Sequence, residues 1–199
     1  MKRREFFGLG LVPLMLAGTA QAGYETHKPM SRAARAGFFP NVPLITHNGE
    51  KVRFYDDLIH DKTVLLNFML VECTDGLCPT ATANLRKVQD LLGERMGRDI
   101  FFYSITLTPK KDTPKVLKEY ADNFDIKPGW SFLTGKPADI EHLRRALGYV
   151  DFDPEQDKKL TNHSGMARYG NDRLERWGGV SVRSSPENIA STFDWLTQV

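Results

Sequence analysis

Residues 63–70, Thr-Val-Leu-Leu-Asn-Phe-Met-Leu, constrain this chain more than any other stretch. The run has strand length and lacks the alternation of a strand with one wet face. It therefore predicts a central strand covered on both sides. Such a strand needs helices above and below, and the following segments supply them. Residues 79–97 place Leu85, Val88, Leu91 and Leu92 at helical spacing, with Pro79 suited to a first turn. A second core strand follows at residues 99–107, carrying Ile100, Phe101, Phe102, Tyr103 and Ile105. Thr113 then caps a helix that begins with Pro114 and continues through Val116, Leu117, Tyr120 and Phe124 to about Asp125.

The remaining segments extend the scheme. Asn48-Gly49 lies between apolar runs at 42–46 and 51–55, which predicts a hairpin with both turn residues at positive φ. Residues 56–62 read as a connector with a short helical turn, 130–133 as a strand and 138–147 as a helix. A polar loop at 151–160 leads to a strand that starts near His163 and runs to Tyr169. A turn at 170–172 and a strand at 174–177 follow, and Ser185-Pro186-Glu187 opens a last helix that buries Ile189, Phe193 and Leu196. The expected fold is an α/β sandwich with a central mixed sheet and an N-terminal hairpin, spanning residues 38–199 as one domain.

The first residues carry a different message. Lys2-Arg3-Arg4-Glu5-Phe6-Phe7 precedes an uncharged run at 8–20 and then Ala20-Gln21-Ala22. That order predicts an export signal at residues 1–22, with the paired arginines pointing to the twin-arginine route. Residues 23–37 read as a tether or irregular lead-in. The expected location is the periplasm or the outer face of a bacterial plasma membrane, the alternative to a removed signal being an uncleaved leader that anchors the chain there. Three basic side chains and one acidic side chain fall in that leader, so the net charge of +2 belongs to it and the rest is balanced. A basic field for nucleic acid is thereby excluded.

Chemistry concentrates at the end of the apolar run. Cys73 and Cys78 are the only cysteines, and Cys78 stands at the helix start, where amides and the macrodipole favour a thiolate. An inert disulfide would close too short a loop to stabilise much. The pair reads instead as a soft-metal site or an exchanging dithiol, with a non-enzymatic redox sensor also open. A thiol peroxidase is disfavoured, because no Pro-x-x-x-Thr-x-x-Cys pattern precedes either cysteine. Two thiolates leave Cu(I) or Zn(II) in need of a third donor. Of the five histidines, His27 falls in the lead-in, His47 in a turn, His60 in the connector and His142 on an exposed helix face. His163 differs, standing where the polar loop ends and a strand begins.

Several of these features together resemble the SCO/SenC family (synthesis of cytochrome c oxidase). The anchors are the strand–cysteine loop–Cys78-Pro79 unit, the second strand with Asp112-Thr113-Pro114, the stretch Trp130-Ser131-Phe132-Leu133-Thr134-Gly135, and His163-Ser164 ahead of Tyr169. The resemblance runs from about Phe39 to Leu196. It implies a thioredoxin-like three-layer sandwich on the outer side of the plasma membrane. It further implies copper, as Cu(I) and/or Cu(II), bound by Cys73, Cys78 and His163. The implied role is that of a metallochaperone rather than an enzyme. Its partner would be the copper-site subunit of a respiratory oxidase or another exported copper protein. The alternative is a thiol–disulfide oxidoreductase in which Cys73 attacks and Cys78 resolves. Three positions depart from the family pattern. Four residues separate the cysteines where the family has three, Asn162 replaces the usual Asp before the histidine, and Thr108 stands where an acid is usual.

Overall fold

Along the chain, a short helix α1 (Arg32–Ala36) leads into an antiparallel hairpin of β1 (Pro43–Thr46) and β2 (Lys51–Arg53), as described by a computed structural model covering residues 29–197. One π-helical turn at Phe54–Ile59 connects them to β3 (Thr63–Met69), followed by α2 (Leu77–Leu92) and β4 (Ile100–Thr106). Next come α3 (Pro114–Asn123), β5 (Trp130–Gly135), α4 (Pro137–Ala146) and α5 (Pro154–Asp157). The chain ends with β6 (Met166–Asn171), β7 (Arg176–Ser181) and α6 (Pro186–Thr197). The strands form one mixed sheet in the order β2-β1-β5-β4-β3-β6-β7, with β3, β4 and β5 mutually parallel.

The apolar run is the central strand that the sequence predicts, with every residue of β3 buried. Successive side chains of a strand point to opposite faces, so the helix layers can be assigned from their contacts. Phe68 meets Tyr149, just beyond α4, with ring centroids 4.8 Å apart. Phe102, which pairs with Leu65, meets Phe193 of α6 at 5.7 Å. Leu65 and Phe68 are of opposite parity, so α4 and α6 cover opposite faces. A Thr82–Tyr120 hydrogen bond joins α2 to α3 on the α6 side. Among the described residues, no helix is long and apolar enough to cross a membrane.

Local chemistry refines several boundaries. The hairpin forms, but Asn48 keeps ordinary φ and Gly49 alone is left-handed, at φ 84°. The Gly49 amide donates to the Thr46 carbonyl (2.9 Å), which makes a turn followed by a left-handed glycine, so only that glycine carries the strain. Asn171 stays within β6 because its side chain donates to Thr63 Oγ1 at 2.8 Å, which moves the turn to residues 172–175. Within the lead-in, Ser31 caps α1, and Arg35 reaches the buried Asp172 carboxylate at 3.3 Å. The proposed leader lies outside the described residues.

Candidate metal centre

The cysteine loop hangs from the C-terminal end of β3. Asp112, itself buried, accepts from the Val71 amide at 3.2 Å and from the hydroxyls of Thr106 and Thr108. This carboxylate ties the start of the loop to the β4–α3 connection. Gly76, at φ 71°, makes the left-handed turn into α2, and Cys78 falls in that helix's first turn. The Thr82 hydroxyl holds the Cys78 carbonyl at 3.0 Å and in turn accepts from Tyr120, which fixes the helix start.

Both cysteines are free; Cys78 is buried and Cys73 half-buried. The Cys78 amide donates to Cys73 Sγ at 3.2 Å, so the helix amide serves Cys73 rather than Cys78. The Cys73 thiol donates to Asp75 Oδ1 at 3.0 Å, and the Leu77 amide donates to the same oxygen at 3.0 Å. Burial, this hydrogen bond to Asp75 and the neighbouring Cys78 thiol together push the Cys73 thiol up to about 12. The same contacts hold the Asp75 carboxyl below the usual range. The Cys73 thiol is therefore held in its protonated form in the reduced protein.

His163 occupies a different setting. It does not begin a strand; it closes a 3-10 turn at Leu160–His163, three residues before β6, and is 5% exposed. The cause is the loop before it, where Asp153 caps α5 and Asp157 meets Arg144 of α4. His163 Nε2 lies 2.8 Å from the Asp157 carbonyl and 3.2 Å from Arg144 Nη1. Arg144, 3% exposed, pairs with both Asp157 and Glu141. Its guanidinium holds both carboxyls below their usual range.

The structure thus brings the two cysteines together and turns His163 toward Asp157. A Cβ on Gly165 would meet Leu77 Cδ2 at 3.8 Å, so the chain just past the histidine turn abuts the start of α2. Among the described residues, no three His, Cys, Asp or Glu side chains are gathered as a ready-made metal cage. Thiolates are soft donors that suit a soft cation, and the His163 imidazole is not gathered with them into one cluster. The other described histidines lie elsewhere. His47 Nδ1 accepts from the Phe132 amide at 3.1 Å, His60 approaches Asp61 at 3.5 Å, and His142 is exposed. Sequence reasoning missed Arg144 and Asp157. The only available signal was the helical spacing of Glu141 with Arg144 and Arg145.

The family profile described as SCO1/SenC matches residues 33–197, nearly the whole described chain. The chain belongs to the SCO1/SenC family. It is 37% identical over 125 residues to an SCO2-like protein of Rickettsia prowazekii, a match covering 61% of this chain and 58% of that protein. The chain thus spans less than two thirds of that relative's length. The SCO1 protein homolog of Bacillus subtilis is 26% identical over 176 residues, covering 86% of each. Among solved structures, copper-bound ScoI of Bradyrhizobium japonicum aligns with a TM-score of 0.62 at 25% identity, covering 77% of this chain and 96% of that one. The shared architecture is the thioredoxin-like α/β fold.

Proposed function

We propose that this chain is a copper-binding assembly factor that carries copper on Cys73, Cys78 and His163. It delivers the metal to the copper-site subunit of a respiratory oxidase or to another exported copper protein. The work takes place in the periplasm or on the outer face of the plasma membrane. The observation that carries this reading is the reduced Cys73–Cys78 pair at the start of α2, beside the His163 turn. Family membership and a copper-bound relative support it. Thiolates hold copper through soft bonds, and a half-exposed Cys73 leaves one of them open to an acceptor's ligands, so transfer can proceed by exchange. The Cys73 proton must leave first, and Asp75 is the carboxylate placed against it.

Titration of the reduced protein with Cu(I) against a competing chelator tests the reading. About one copper per chain is expected, with weaker binding in His163→Ala. No binding, or unchanged affinity in that variant, would contradict it. A second reading, dithiol exchange, is favoured by the close approach of the two free cysteines, with the Cys78 amide 3.2 Å from Cys73 Sγ. It predicts a Cys73–Cys78 disulfide that forms and reduces reversibly against glutathione.

A further inference from the structure

The histidine turn contains a proton count that assigns the metal-facing nitrogen. Arg144 has five N–H groups, and each has an acceptor other than His163. Nε and one Nη2 proton go to the two oxygens of Glu141, at 2.8 and 2.9 Å. The second Nη2 proton goes to Asp157 Oδ2 at 2.9 Å. The two protons of Nη1 go to the Tyr149 carbonyl at 2.5 Å and Asp157 Oδ1 at 2.8 Å. Nothing remains to donate across the 3.2 Å contact to His163 Nε2. The nearest partner of Nε2 is the Asp157 carbonyl at 2.8 Å, which can only accept. Nε2 must therefore carry its own proton. Among the described residues Nδ1 makes no hydrogen bond, so its lone pair is uncommitted.

We infer that His163 is held as the Nε2–H tautomer with Nδ1 as its metal-facing nitrogen, and that Arg144, acting through Asp157, is the positioning residue. Arg144 grips both oxygens of Asp157, and the Asp151 amide adds a bond to Oδ1 at 2.9 Å. This fixes the end of α5 and aims the Asp157 carbonyl at the ring. A ligating histidine generally donates its other N–H to such an acceptor, which sets the tautomer and strengthens the free nitrogen as a donor. The inference rests on His163 being a ligand, as proposed above, but its first test needs no metal.

The full chain, reduced, metal-free and nitrogen-15 labelled at histidine, should show His163 Nε2 as the protonated nitrogen and Nδ1 as the lone-pair nitrogen in two-bond NMR spectra. Read on the neutral ring, the opposite tautomer or a mixture would overturn the assignment. On addition of Cu(I), the Nδ1 resonance should move most; a larger shift at Nε2 would also overturn it. Arg144→Gln should mix the tautomers and weaken Cu(I) binding about 10- to 100-fold while leaving Cys73 alkylation unchanged. Should that variant fail to fold, Asp157→Asn keeps the carbonyl but loses the carboxylate grip, and the same shifts are expected. A single tautomer with unchanged affinity in the variant would remove Arg144 from the role. Absence of Cu(I) binding by the wild type would end the metal reading, whereas the tautomer is read independently.

Discussion

The two halves of the candidate centre rest on opposite kinds of support. The cysteines stand on apolar structure: β3 is buried throughout, and α2 buries Ala81, Leu85 and Val88 beneath Cys78. His163 stands on charge, with Arg144 and Asp157 gripping each other beside it and Glu141 at the rim. Hydrophobic burial is non-directional and sets where an element lies. Charge-assisted hydrogen bonds are directional and set how a side chain is turned. The elements that carry the sulfurs are thus placed by packing, while the imidazole is oriented by its charged and hydrogen-bonded neighbours.

The largest expected effect breaks the charged half. Arg144→Leu removes the buried donor shared by the Tyr149 carbonyl and the Asp157 and Glu141 carboxylates, and should cost about 3 kcal/mol in urea unfolding. An unchanged midpoint would show that the histidine turn does not depend on the cluster. A smaller effect is expected where Asp112 ties the cysteine loop to the β4–α3 connection. Asp112→Asn weakens the bonds to Val71, Thr106 and Thr108 and should cost roughly 1–3 kcal/mol. It should also speed Cys73 alkylation without altering the His163 tautomer, and a change in both would blur the distinction drawn here.

The smallest effect on stability sharpens the cysteine half. The Cys73 thiol is raised to about 12, so it stays protonated where a free thiol ionises. Its stabilising contribution is complete below the ordinary thiol pKa and is lost as the pH climbs toward 12. Asp75→Asn removes the accepting carboxylate, lowers the Cys73 pKa and should raise its alkylation rate roughly tenfold near pH 8. Stability should change by less than ~0.5 kcal/mol. A slower reaction would reverse the role given to Asp75.

The apolar half was legible in the sequence, and the charged half was not. A run such as 63–70 declares itself because burial on both faces removes alternation. Thr113-Pro114 likewise announced a capped helix start, with the Thr113 hydroxyl accepting from Val116 at 3.4 Å. The cysteines were obvious by count, and resemblance alone singled out His163 as a ligand. Its surroundings stayed hidden because Glu141 and Arg144 lie on α4 while Asp157 ends α5. Acidic and basic residues at helical spacing ordinarily mark a wet surface, and only the tertiary fold buries Arg144. The start of β6 was misplaced for a related reason, since the Asp153 cap and the 3-10 turn use up the residues before Met166.

X-ray absorption at the copper edge of the Cu(I)-loaded, reduced protein tests the central claim most directly. Two sulfur donors and one imidazole nitrogen are predicted, with the nitrogen signal lost in His163→Ala. A copper site with sulfur donors alone, or a nitrogen signal that survives His163→Ala, would contradict the account.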